Sequence, residues 1–180
     1  MKMKTKLILL ITAILLLNGC GKQFCPGFPD EYADYLPYTD GQKIVFANKN
    51  NDTVAFQIYD FYQSEYNEIS MCDMCECGLP MLAFHATPIT RELFFEEISI
   101  EIELINPKLL KSYVRFKYDE TKLSPDDCFG ETNSIESATD TIIVNKSNPT
   151  RISKVLIIKG KGLASFYDIT TNSEWKLIEK

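Results

Sequence analysis

Six cysteines carry most of the chemistry that this 180-residue chain can offer. Three of them crowd together in Cys72-x-x-Cys75-x-Cys77, Cys25 and Cys128 lie well to either side, and Cys20 stands near the start. Thiols placed this way can pair or hold a metal. Outside the cytoplasm they pair, and the bridges staple small exported domains. Setting Cys20 aside leaves five, an odd number, so at least one thiol stays free or joins another molecule. The favoured arrangement is one or two bridges tying Cys25 and Cys128 to the Met71–Gly78 stretch, with Cys72, Cys75 and Cys77 as the available partners. In the sharper alternative, the three clustered thiolates hold a soft ion, Cu(I) or Zn(II), with His85 or Cys128 as the fourth ligand. Only one half of a paired metal motif is present, which favours bridges. A thioredoxin-like role fits less well, because Asp73 and Glu76 disfavour a thiolate and no helix start is evident beside them.

Other catalytic constellations are missing from the pattern. His85 is the only histidine and reads as a strand residue with a satisfied hydrogen bond. There is no G-x-S-x-G and no spacing that argues a Ser-His-Asp arrangement. Gly160-x-Gly162 lacks the following helix that a phosphate loop requires. Glu101 and Glu103 read as a solvated strand face rather than a hydrolytic pair. No catalytic residue and no cofactor are assigned, and the chain is read as a non-enzyme.

The N-terminus carries a different chemistry. Met1 to Lys6 holds Lys2, Lys4 and Lys6 and no acid; Leu7 to Leu17 is apolar apart from Thr12; Asn18-Gly19-Cys20 follows. A basic stretch, a short apolar stretch and a small-residue cleavage site make an export signal. The apolar run is too short to stay in a bilayer as a helix, which needs about 20 residues. Leu17-Asn18-Gly19-Cys20 resembles the lipobox of bacterial lipoproteins, with leucine three before the cysteine and a small residue just before it. That resemblance implies cleavage after Gly19, diacylglycerol on the Cys20 sulfur and often a further acyl chain on the new amine. Two or more chains give stable anchoring where one is marginal. It covers only about the first twenty residues. Gly21-Lys22-Gln23-Phe24 contains neither an inner-membrane retention aspartate nor the acids of some surface-exported lipoproteins. The expected address is therefore the outer membrane, with the domain facing the periplasm.

Composition narrows the partners. Loss of residues 1–19 removes three of the 19 basic residues and none of the 25 acids, so the mature chain carries a charge of about −9. No basic stripe exists to neutralise phosphates, so nucleic acid is excluded as a partner. Charge does not bind the domain to an anionic bilayer either; the acylated Cys20 must do so. What remains is a membrane reached through that lipid and an unidentified protein or envelope component.

The elements that position these residues read as strands. Aromatics make up 12% of the chain, many of them Tyr and Phe, and with Val and Ile they favour β structure. Ile98, Ile100, Ile102 and Leu104 alternate with Ser99, Glu101 and Glu103, a period of two with one wet face. Lys43–Asn48, Thr53–Tyr62, Pro80–Ala86, Tyr113–Tyr118, Thr141–Val144, Lys154–Lys159, Leu163–Ile169 and Glu174–Ile178 read likewise. Lys49-Asn50-Asn51-Asp52, Gly160-Lys161-Gly162 and Thr170–Ser173 are hairpin turns, the last two giving a closing meander with Trp175 in the core. Pairing of Ile98–Ile105 with Tyr113–Tyr118 is expected to set Glu103 against Arg115 and Glu101 against Lys117, each worth ~0.2–1 kcal/mol. Pro29-Asp30-Glu31 opens a two-turn helix whose aromatic face plugs the core, stopped by Pro37. Leu123 to Ala138 reads as loop. Asp52-Thr53-Val54 and Asp140-Thr141-Ile142 resemble a bacterial O-glycosylation acceptor, though Asp-Thr before a β-branched residue is equally a strand start.

These readings give an all-β chain, an antiparallel sandwich or up-and-down barrel of about nine or ten strands with one short N-terminal helix. The divisions are a removed signal at 1–19, a lipidated N-terminus with turn and helix at 20–40, and a single β domain at 41–180. The mature part also resembles the small bacterial lipoproteins to which no activity is attached, through Cys25-Pro26-Gly27-Phe28-Pro29, Leu36-Pro37-Tyr38 and Lys159-Gly160-Lys161-Gly162-Leu163 with Phe166 and Trp175. The expected function is a membrane-anchored, non-enzymatic binding or structural module of the envelope. The alternatives are a metal- or thiol-handling lipoprotein using Cys72, Cys75 and Cys77, and a carrier of a small apolar ligand.

Overall fold

Alternation of side chains decides which face of each strand is buried. Along Phe95–Asn106, Ile98, Ile100 and Ile102 are wholly buried, while Glu101 and Glu103 point the other way and stay half-exposed. The same rhythm buries Val54, Phe56 and Ile58, then Leu82, Phe84 and Ala86, then Val114 and Phe116. Most strands have one predominantly dry face, so the sheet curls to hide it.

The computed structural model describes residues 22–70, 78–89, 95–106, 109–118, 127–134 and 140–180. In chain order the elements are β1 (Lys22–Cys25), α1 (Asp30–Ala33), β2 (Lys43–Ala47), β3 (Thr53–Gln63), β4 (Asn67–Ser70), β5 (Met81–Pro88), β6 (Phe95–Asn106), β7 (Leu109–Tyr118), β8 (Asp127–Ser134), β9 (Thr141–Asn145), β10 (Ile152–Ile158), β11 (Gly162–Asp168) and β12 (Ser173–Glu179). Ten strands form one antiparallel sheet in the order β8-β7-β6-β5-β3-β2-β12-β11-β10-β9. β2 and β12 pair in the middle of that order. From there the chain runs up and down in both directions until β8 and β9 approach one another as the two edges. The sheet is nearly closed into a barrel. β1 and β4 form a separate two-stranded ribbon.

Aromatic rings make up much of the buried core, beside Ile, Leu and Val. Phe95 meets Phe56, Phe116, Tyr118 and Phe166 at centroid distances of 5.6–6.1 Å. Phe166 also touches Phe46 at 5.2 Å and stacks on Trp175 at 6.2 Å. Such pairs add about 0.5–1.5 kcal/mol each beyond the area they bury. Trp175 lies in the core, in the closing meander of β10, β11 and β12.

Four expectations need correction. The stretch from Leu123 to Ala138 contains β8, which pairs with β7 from Phe116↔Asp127 to Leu109↔Ser134. It is an edge strand with polar side chains, and edges carry little apolar pattern to read. The hairpin of β6 and β7 has another register: Glu103 faces Lys111, Glu101 faces Tyr113, Ser99 faces Arg115 and Glu97 faces Lys117. Asn106 pairs with Leu109 across the two-residue link, and an irregularity between Leu104 and Asn106 shifts the register by one residue from there on. The two-turn helix is one turn, α1, with no side-chain cap and no buried residue of its own. The plug comes from the residues behind it, with Tyr35, Leu36 and Tyr38 all buried. Finally, β1 and β4 lie where no strand is expected.

Tyr38 ties this plug to the barrel. Its hydroxyl accepts the Leu163 N–H at 2.7 Å, while the Gly160 N–H donates to the Asp34 carbonyl at 2.6 Å. Gly162 sits at φ +81°, and a Cβ there would overlap the Tyr38 hydroxyl. Both the left-handed backbone and the close approach call for glycine.

Candidate functional site

A row of polar residues crosses the outer face of four neighbouring strands. Pairing sets His85 on β5 beside Ser99 on β6, Ser99 beside Arg115 on β7, and Arg115 beside Cys128 on β8. With Glu97, Glu101, Glu103 and Tyr113 they line a hollow of about 330 Å³. Glu97 is held at one end. It accepts the Tyr59 hydroxyl at 2.8 Å and lies 3.4 Å from His85 Nδ1. Burial first, then the bond to Glu97, pushes the Tyr59 hydroxyl up to about 12. His85 is thus a half-exposed strand residue with a carboxylate neighbour. Among the described residues, no group of three or more His, Cys, Asp and Glu could hold a metal ion.

A second polar cluster lies inside, where the barrel's two edges meet. Asp127 opens β8 and is completely buried. One carboxylate oxygen accepts the N–H groups of Arg151 and Ile152 at 2.7 and 2.6 Å and the Tyr118 hydroxyl at 2.5 Å. The other accepts the Thr150 N–H at 2.8 Å and Lys146 Nζ at 2.5 Å. Burial works to raise the Asp127 pKa, but the bonds from Lys146, Tyr118, Ile152 and Thr150 together outweigh it and hold the acid at about 2. For Tyr118, burial and then Asp127 drive the hydroxyl far above its ordinary value.

Arg151 extends the cluster. Nε and Nη2 both donate to Asp168 Oδ2, at 2.9 and 2.7 Å, and the guanidinium lies 4.7 Å from the Phe95 ring centroid. Asp168 Oδ1 accepts the Thr170 N–H and hydroxyl. Burial opposes ionisation of Asp168, yet the Arg151 and Thr170 bonds prevail and its pKa is lowered. Five donors already occupy Asp127, and a locked carboxylate of this kind does not shuttle protons. The cluster ties β8 to the residues that lead into β10. Its signal in the sequence is slight: Asp127 follows Ser-Pro-Asp and reads as a breaker, and nothing in the pattern links it to Lys146 or Arg151.

The cysteines separate into three cases. Cys128 is free and exposed, so the bridge expected at that position is not formed. It lies on the outer face of edge strand β8 beside Arg115, pointing away from the core. Cys25 on β1 is disulfide-bonded, and its partner lies outside the described residues. Cys72, Cys75 and Cys77 lie outside them as well, as does Cys20.

The segment just after Cys20 is firmly seated. β1 pairs with β4 from Lys22↔Ser70 to Cys25↔Asn67. The Phe28 N–H donates to the Ser64 carbonyl at 2.8 Å, and the Phe28 ring is buried. A Cβ on Gly27 would come within 2.7 Å of the Tyr66 backbone nitrogen, so only glycine allows the two chains to lie so close. Beside this clamp, the exposed rings of Phe24 and Tyr66 stack at 5.8 Å with 21° between their planes.

No protein-family model, no curated protein and no solved structure matches this chain. Among the described residues, no helix is long and apolar enough to cross a membrane.

Proposed function

We propose that this chain is a bacterial envelope lipoprotein, cut after Gly19 and acylated at Cys20, whose barrel-like domain is a non-enzymatic binding or structural module. The outer membrane, periplasmic side, is its address. The observation that carries this reading is the Leu17-Asn18-Gly19-Cys20 pattern only two residues ahead of β1. A lipid at Cys20 would hold a domain whose first strand is already paired and clamped. The acylated cysteine and the fold would be joined by no long tether.

The polar groups support a non-catalytic role. Glu97, Tyr59 and His85 lie against one another on the outer face, and Asp127, Lys146, Arg151 and Asp168 hold the edges together. Rings in contact occupy the interior at the level of Phe95, Phe116 and Phe166, which weighs against a carrier of apolar ligands. The metal- and thiol-handling alternative depends on Cys72, Cys75 and Cys77. The partner of Cys25, on our reading, is one of those three.

Expression of the full chain in a bacterial host that matures lipoproteins tests the proposal. The purified protein should have lost residues 1–19, carry the mass of at least a diacylglycerol, and enter the detergent phase. Cys20→Ser should abolish all three properties. A parent chain without added lipid mass, in the aqueous phase like Cys20→Ser, would sink the reading.

A further inference from the structure

We infer that the aromatic cluster Phe24, Tyr62 and Tyr66 rests in the headgroup layer of the bilayer that holds Cys20. The inference rests on the lipid-anchor reading and adds to it the face that the domain turns to the membrane.

Three observations support it. First, these rings face outward: Phe24 is 55% exposed, Tyr62 49% and Tyr66 66%. Phe24 stacks on Tyr66, and Tyr62 and Tyr66 line a common hollow with Phe61, Gln63 and Glu65. Single exposed apolar residues are ordinary, but a contiguous cluster marks a contact surface. Tyr and Trp favour the membrane–water interface because the ring is apolar and the tip polar.

Second, reach leaves the cluster little choice of position. Phe24 is the fourth residue after Cys20, and a fully extended chain covers about 14 Å over those four steps. The acyl chains end at the glycerol level, so Phe24 lies at most about 14 Å from it, about two headgroup depths. β1 cannot swing aside, because β4, the Gly27 approach to Tyr66 and the Phe28–Ser64 hydrogen bond hold it.

Third, charge selects the kind of surface. Asp30 and Glu65 share the adjoining hollow with Tyr66, and the mature chain is strongly acidic. Such a rim repels anionic lipid. The surface that suits it is a net-neutral, zwitterionic one.

The test uses the full chain, matured in a bacterial host and reconstituted into phosphatidylcholine vesicles with and without brominated phosphatidylcholine. Bromine quenches indole only at short range. Three proteins are compared: the parent, Phe24→Trp, and Ile143→Trp on β9, whose strand pairs with neither β1 nor β4. Trp175, buried in the core, supplies the same background in each. The added emission of Phe24→Trp should shift to the blue on reconstitution and lose intensity in brominated vesicles. That of Ile143→Trp should do neither. Tyr66→Trp serves as a second reporter should Phe24→Trp fold poorly. Lipid on Cys20 with Phe24→Trp and Tyr66→Trp as unquenched as Ile143→Trp would leave the anchor standing and overturn the aromatic contact. No lipid on Cys20 by mass would overturn the anchor, and this inference with it.

Discussion

The carboxylate of Asp127 accepts the backbone N–H of Ile152 at 2.6 Å across the opening between the sheet's two edges. Asp127 begins edge strand β8, and Ile152 begins β10, next to the other edge strand, β9. Among the described residues, no strand pairing joins β8 to β9. The sheet closes through one acid that collects the N–H groups of three successive residues, Thr150, Arg151 and Ile152.

Removing that acid should therefore be expensive. Asp127→Ala strands Lys146 and three backbone donors in a dry place, and breaking a buried charge pair from one side costs about 3–5 kcal/mol. Asp127→Asn keeps an acceptor oxygen and the shape, and should lose less. Urea unfolding of both variants against the parent checks this. Equal, small losses below about 1 kcal/mol would mean that the edges are held by something else.

Acid should open the same place. Asp127 titrates near 2 when folded and near 3.8 when free. A lowered folded pKa means that the unfolded chain binds the proton more readily. The contribution is thus complete above pH ~4 and is lost as the pH falls through ~2. Asp168, also lowered, adds to the effect in the same direction. Stability followed between pH 5 and 2 should fall steeply for the parent and less steeply for Asp127→Asn. Parallel curves would remove Asp127 from the explanation.

Gly160 and Gly162 offer a controlled comparison. Both have φ near +80°, but only at Gly162 would a Cβ strike Tyr38; at Gly160 nothing lies within 4 Å. The backbone term, about 1 kcal/mol for alanine in the left-handed region, is shared. Gly162→Ala should therefore lose clearly more stability than Gly160→Ala. Combining Gly162→Ala with Tyr38→Leu, which removes the hydroxyl and ring carbons that the Cβ would strike and gives up the bond to Leu163, should cost less than the sum of the two single changes. Strict additivity in thermal unfolding would show that Tyr38 and Gly162 act independently.

How much of this was legible in the sequence follows from burial. Strands such as β6 and β3 have one dry face, so their alternation of Ile, Phe and Val with polar residues can be read directly. β8 is an edge strand that buries only Asp127 and Phe129 among its residues whose burial is described, too little pattern to read. The β6–β7 register escaped for another reason. Charge matching of Glu103 with Arg115 and of Glu101 with Lys117 is worth tenths of a kcal/mol, and the short link together with the register shift between Leu104 and Asn106, which places Glu103 against Lys111, outweighs it. The Asp127 network joins four stretches, at Tyr118, Asp127, Lys146 and Thr150–Ile152. Local pattern does not encode such long-range convergence. Phe95, at the centre of the ring cluster, lies three residues before the alternating run begins and gives no sign of its role.

Cys128 yields the last prediction. Its thiol is free and exposed on β8, beside the Arg115 position. In the folded, unreduced protein it should react with iodoacetamide without denaturant, adding one label that Cys128→Ser lacks. Because the side chain supports no packing, Cys128→Ser should leave stability within about 0.5 kcal/mol of the parent. Cys25→Ser should behave otherwise, since Cys25 is bridged on the strand that begins the clamped segment. Losing that bridge should cost about 2–4 kcal/mol and expose a further reactive thiol, that of its former partner. Peptide mapping of the newly labelled cysteine would identify that partner. A Cys128 that resists labelling until the protein is reduced would mean that it is bridged in solution, and the assignment of free and paired thiols would have to be reversed.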